Sequence, residues 1–223
     1  MGKNIKIFLL VLILVSFNGI SFAQKDTIVF DLSKIPKESG WRIFNRKVNL
    51  VNENKGTHLH FNAQPGYGLA WHEDCNFYNG VIEVYIKGED IQGRSFIGIA
   101  FRGVDEKTYD AVYFRPFNFI SKDSVRRNHS VQYISMPVNT WEKLRKEAPG
   151  KYENDIEHAL DPNSFFHAKI ILDKAKVSVY VNDNPDPCLV VNELTNRTGG
   201  WVGLWVGNNS EGTFAYLKIT NKQ

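Results

Sequence analysis

Three runs between Gly80 and Pro116 alternate with a period of two: Gly80 to Lys87, Ser95 to Arg102 and Tyr109 to Pro116. That period places successive side chains on opposite faces of a pleated strand, so the runs are expected to be strands of a half-buried sheet. One set of side chains, Ile82, Val84, Ile86, Ile97, Ile99, Phe101, Val112 and Phe114, is apolar throughout and is expected to form the core. The other set holds Glu83, Tyr85, Lys87, Phe96, Gly98, Ala100, Arg102, Ala111, Tyr113 and Arg115. A solvated face would be rich in Thr, Lys, Glu and Ser, whereas tiny residues set between rings and guanidiniums suggest a hollow with room for a ligand. The expectation is that these residues share one working face.

The rest of the chain repeats the β pattern. Strands are expected over Thr27 to Leu32, Trp41 to Val51, His58 to Asn62 and Gly68 to Trp71, and Phe165 to Leu172 with Lys176 to Asn182 read as a hairpin turning through Asp173-Lys174-Ala175. Gly200 to Gly207 is a further strand, with Val202, Leu204 and Val206 on one face and Trp201, Gly203 and Trp205 on the other. Two indoles flanking a glycine would make a flat apolar platform of the kind that stacks on sugar rings, or they could sit beneath a loop or the first strand. Phe117 to Leu160 is the least regular segment, and long loops set with rings and cations tend to carry function. Within it His129 and Gln132 flank a strand expected beside that of Arg115, while Trp141 and Tyr152 could equally plug one end of the fold.

Residues 1–23 read as a targeting segment. Lys3 and Lys6 precede the apolar run Ile7 to Val15, which is too short to span a bilayer, and Ser21-Phe22-Ala23 is a small-x-small cleavage site. Removing it takes Lys+Arg from 27 to 25 against 24 acids, so the mature chain over 24–223 carries a net charge of about +1. That balance argues against nucleic acid as a partner, and no membrane anchor is expected after cleavage. Export to a periplasm or the cell exterior would permit a disulfide between Cys75 and Cys188, but two buried thiols are the favoured reading. His58 and His60 share a face at a metal-compatible spacing, yet no third ligand stands near them, and the acids of Asn182 to Pro187 lack the spaced oxygens of a calcium loop. No metal or cofactor is therefore expected.

The order of strands, the Gly-x-Ile-Glu run at Gly80, the run Phe96-Ile-Gly-Ile-Ala-Phe-Arg102, the tyrosine-rich strand ending Phe-Arg-Pro and the closing Gly-x-Val-Gly-Leu-Trp at Gly200 resemble the concanavalin A-like lectin/glucanase superfamily. More narrowly they resemble the secreted bacterial 3-keto-disaccharide hydrolase domain, a glycoside hydrolase family 16-like group. The resemblance implies an all-β, two-sheet antiparallel jelly-roll sandwich forming one domain over 24–223, with a carbohydrate as ligand or substrate. One departure stands out. Family 16 glucanases carry Glu-x-Asp-x-Glu on one strand, whereas Glu83-Val-Tyr-Ile-Lys87 offers one carboxylate where that mechanism needs two. A 3-keto sugar would relax the demand, because its carbonyl acidifies the C2 proton and allows elimination. On that reading Glu83 or His129 is the base and Arg102 or Arg115 holds the enolate oxygen. Tyr85, Phe96, Tyr113, Gln132, Trp201 and Trp205 are the candidate sugar contacts. The same residues would serve a carbohydrate-binding module without catalysis, and a structural or adhesion domain is a third possibility.

Overall fold

The computed structural model describes residues 26–37, 39–53, 56–157 and 159–222. The expected targeting segment lies outside them. Two antiparallel sheets face each other. The first contains β1 (Thr27–Phe30), β3 (Val48–Glu53), β4 (Gly56–Phe61), β6 (Gly80–Lys87), β11 (Phe166–Asp173), β12 (Lys176–Val181), β13 (Leu189–Asn192) and β15 (Gly212–Asn221), in the order β13-β12-β11-β6-β15-β4-β3 with β1 also on β15. The second contains β2 (Trp41–Phe44), β5 (Gly68–His72), β7 (Ile97–Gly103), β8 (Tyr109–Phe114), β9 (Val131–Met136), β10 (Glu153–Asn154) and β14 (Trp201–Val206), in the order β10-β9-β8-β7-β14-β5-β2. This is the expected jelly-roll sandwich.

The eight apolar residues of the founding runs are fully buried, as are Val202, Leu204 and Val206. Val177 and Val179 are equally enclosed, and Lys174 and Ala175 both take positive φ in the tight turn between β11 and β12. The segment from Trp41 to Val51 is two strands in different sheets, because Asn45 adopts a left-handed φ of 48° and breaks the run.

A larger difference concerns β6. It does not lie beside β7: residues 88–96 carry the chain from the eight-stranded sheet to the seven-stranded one. Alternation assigns each side chain to an inner or outer face, but every sandwich has two outer faces. Glu83, Tyr85 and Lys87 therefore point outward from one sheet, whereas Tyr113 points outward from the other.

Cys75 and Cys188 are free and buried. Cys75 follows β5 near the β2 edge, whereas the carbonyl of Cys188 accepts from Asn154 of β10 on the opposite edge of the sandwich. Burial pushes the Cys75 thiol up to about 11 and the Cys188 thiol up to about 12. Native protein at pH 8 is therefore expected to leave both thiols unmodified by a chromogenic disulfide reagent, and denaturant to release both; rapid native labelling would contradict this packing.

Candidate functional site

One register row crosses the outer face of the seven-stranded sheet: Leu69, Trp205, Gly98, Tyr113, Gln132 and Glu153 are successive partners. Gly98 has no side chain because there is no room for one. A Cβ there would stand 2.1 Å from the Val112 carbonyl oxygen and 2.6 Å from the Tyr113 Cα. Its bareness lets the rings of Tyr113 and Trp205 meet above it, with centroids 4.9 Å apart. The other small residues leave no hollow. Trp71 lies over Gly103 and Gly203, where an added Cβ would meet the indole at 2.8 Å and 2.6 Å.

The open volume sits at the Tyr113 end instead. A cavity of about 680 Å³ is floored by Tyr113, Trp205 and Ile134 and walled by Phe96, Phe117 and Tyr67. That size falls within the roughly 300–1,000 Å³ typical of small-molecule sites. Its remaining wall comes from the irregular segment. α1 (Ser124–Arg127) supplies Arg126 and the turn after it His129, and α2 (Trp141–Glu147) supplies Trp141, Glu142 and Arg145. Thr140 caps α2 by accepting from the Lys143 amide, and the helix buries Leu144 beneath. Trp141 and Arg145 are one helical turn apart, so the guanidinium lies over the indole, 5.1 Å from its centroid.

Arg115 is the polar anchor of the floor and is only 5% exposed. It donates from Nη1 to the His129 carbonyl at 2.8 Å and from Nη2 to the Tyr113 hydroxyl at 2.6 Å and to Gln132 Oε1, while Tyr113 itself donates to Gln132 at 2.7 Å. Its guanidinium also lies 4.8 Å from the Tyr113 ring centroid and 5.7 Å from that of Phe96. Burial, helped by the nearby Arg145 charge, lowers the Arg115 pKa from its usual value; burial also pushes the Tyr113 phenol up, against the pull of the Arg115 and Arg145 charges.

Glu153 binds this assembly together from β10. Arg145 grips it with both prongs, Nε to Oε1 at 3.1 Å and Nη2 to Oε2 at 2.7 Å. His129 Nδ1 lies 2.8 Å from Oε2, off the line of a hydrogen bond, and Arg115 Nη1 is 3.9 Å away. Burial works against its ionisation, but the Arg145 hydrogen bonds and the charges of Arg145, His129 and Arg115 outweigh it and hold the carboxyl below its ordinary range.

The opposite wall is fixed by Arg46. Its guanidinium, with a pKa lowered to about 10 by burial, donates to the carbonyls of Asn45, Gly66 and Gly207 at 2.5, 2.8 and 2.6 Å. Gly66 and Gly207 both line the cavity, and the Asn208 side chain accepts from the Gly66 amide. Two loops distant in sequence are thus tied into one rim.

Of the residues expected to act together, the cavity gathers Phe96, Tyr113, Arg115, His129 and Trp205, with Gln132 bonded behind Arg115. The others are elsewhere. Glu83 and Tyr85 stand on the far sheet, where Glu83 pairs with Lys218 at 2.8 Å and Tyr85, 43% exposed, stacks on His167. Arg102 takes a left-handed φ of 54° and turns its buried side chain to Glu193 at 2.9 Å and to the carbonyls of Tyr78 and Thr198. Trp201 is separated from Trp205 by a register irregularity on β14 and packs on Trp71, beneath the guanidinium of Arg42. The paired indole platform is therefore not formed. His58 and His60 contact the Glu53 carbonyl and the Thr213 hydroxyl. Sequence reading missed Arg145 and Glu153 as site residues. The i, i+4 spacing of Trp141 and Arg145 was the one available signal.

No family model matches this chain, and no curated protein matches it. Solved structures do. The carbohydrate-binding module CBM66 from Bacillus subtilis is 16% identical with a TM-score of 0.56, covering 81% of this chain and 95% of that one. A β-glucanase from Bacillus licheniformis is 13% identical with a TM-score of 0.56, over 88% and 98%. The exoplasmic/lumenal domain of VIP36, in a form bound to calcium and Man3GlcNAc, is 11% identical with a TM-score of 0.54, over 82% and 84%. At these identities the likeness is one of fold, that of the galectin-like and concanavalin A-like jelly rolls.

Proposed function

We propose that this chain recognises a carbohydrate and holds it in the cavity between the Tyr113 row and α2. One observation carries the reading: above a floor of buried Trp205 and Tyr113, Trp141 and Tyr67 present ring surfaces to a volume that also receives Arg115, Arg126 and Arg145. Sugar rings offer flat C–H faces to aromatic side chains and hydroxyl oxygens to guanidinium donors. The fold's neighbours include a carbohydrate-binding module, a β-glucanase and a lumenal domain with a bound oligosaccharide, which supports the same reading. Export, expected from residues 1–23, goes with it, and among the described residues no helix is long and apolar enough to cross a membrane.

Binding without hydrolysis is the form the residues favour. A two-carboxylate glycosidase flanks the scissile bond with both acids. Here Glu142 is, among the described residues, the single acid lining the cavity, and Glu153 is committed to Arg145. The nearness of His129 to Glu153, with Arg115 in the same cavity, favours a second reading. In a 3-keto glycoside His129 would take the C2 proton, Arg115 would hold the enolate oxygen, and the glycosidic oxygen would depart with a proton before water adds.

Titration calorimetry with neutral and acidic oligosaccharides tests the proposal. Wild type is expected to bind at least one class, and Trp141→Ala to weaken that binding about ten-fold, equivalent to roughly 1.4 kcal/mol. Silence across a broad saccharide panel would overturn it. Turnover of a 3-keto-glucoside that vanishes in His129→Ala while binding persists would select the second reading.

A further inference from the structure

Guanidiniums outnumber carboxylates in the cavity. Arg115, Arg126 and Arg145 face it, against Glu142 on its wall and Glu153 behind it. These leave a net charge of one positive unit, or two when His129 is protonated. The single Glu153 carboxylate is shared among Arg145, His129 and, more distantly, Arg115, whose close partners at the floor are the neutral Tyr113, Gln132 and the His129 carbonyl. Arg126 makes no ion pair among the described residues. Donors also exceed acceptors beneath the floor, because Gln132 Nε2 is buried without an acceptor. A buried guanidinium that hydrogen-bonds only neutral oxygens, with its nearest carboxylate 3.9 Å away and shared, remains undercompensated, and a charged acceptor forms the stronger hydrogen bond.

Resting on the saccharide reading, we propose that the ligand is an acidic saccharide whose ring carries a carboxylate, the ring lying against Trp141 and Tyr67 and the carboxylate turned toward Arg126 and Arg115. A planar carboxylate matches the guanidinium fork, whereas a neutral hexose would leave the positive charge unanswered.

The test compares galacturonate, glucuronate and guluronate oligosaccharides with the same oligosaccharides after reduction of their carboxyls to alcohols, by calorimetry on the full chain. At least one acidic series is expected to bind about ten- to a hundred-fold more tightly than its reduced counterpart, the size of one charge-assisted hydrogen bond, and to weaken as salt is raised. Arg126→Ala is expected to shrink that preference to a few-fold and Arg126→Lys to keep part of it. Thermal melts of both variants report folding separately, since Arg126 is partly exposed and its side chain makes no hydrogen bond or ion pair among the described residues. Equal affinity for reduced and acidic forms, or a preference untouched by Arg126→Ala, overturns this inference and leaves saccharide recognition standing. Tighter binding of sulfated oligosaccharides overturns the carboxylate assignment. Failure of every saccharide to bind overturns both readings.

Discussion

Replacing Arg102 by alanine is expected to destabilise the fold by about 3–5 kcal/mol, because it strands a carboxylate in the interior. Arg102 and Glu193 each expose 3% of their side chains, and together they bind the segment after β13 to the end of the seven-stranded sheet. Arg102 donates to the carbonyls of Tyr78 and Thr198, and its own carbonyl accepts from Arg197 at 3.0 Å. Arg197 in turn pairs with buried Asp110 at 2.6 Å, and Asp110 accepts from the Tyr133 hydroxyl, which itself accepts from the Leu194 amide. Denaturant unfolding would measure the loss. The double change Arg102→Met with Glu193→Leu removes both charges and is expected to recover most of it. A near-neutral Arg102→Ala would refute this assignment of Arg102 to scaffold instead of site.

Glu153→Ala is expected to be of similar size, again about 3–5 kcal/mol at neutral pH, and to weaken ligand binding as well. It leaves Arg145 without its bidentate partner and Arg115 without its nearest carboxylate. The cost has a definite pH dependence. Because the folded carboxyl titrates below its unfolded value of about 4.3, its contribution is fully present above that pH and is lost as pH falls through the folded value. The stability gap between wild type and Glu153→Gln should therefore be widest above about pH 5 and close on acidification. A gap that widens in acid would show that Glu153 is not held ionised by these cations.

The sheet-forming part of the chain was legible because a period of two is enforced by pleating, whatever the neighbours. The eight apolar residues of the founding runs are buried on that ground alone. Which sheet a strand joins is a different matter, decided by the 88–96 connection, and local alternation carries no information about it. Hence Glu83 was expected beside Arg115 and lies on the far sheet. Arg102 departs from its strand pattern because its left-handed backbone redirects the side chain, and a non-glycine residue gives no warning of that. Arg115, Tyr113 and His129 were found because β8 and the turn into β9 are adjacent in both sequence and space. Glu153 was missed because its partners, Arg145, His129 and Arg115, converge from three separate elements.

The knot that Arg46 ties between Gly66 and Gly207 has a kinetic meaning. If the cavity holds a saccharide as proposed, this part of its rim is already set in shape and need not freeze when the ligand arrives, which lowers the entropy surrendered on docking. Encounter should then proceed at a rate governed by diffusion and orientation, with differences among ligands expressed mainly in how long each one stays.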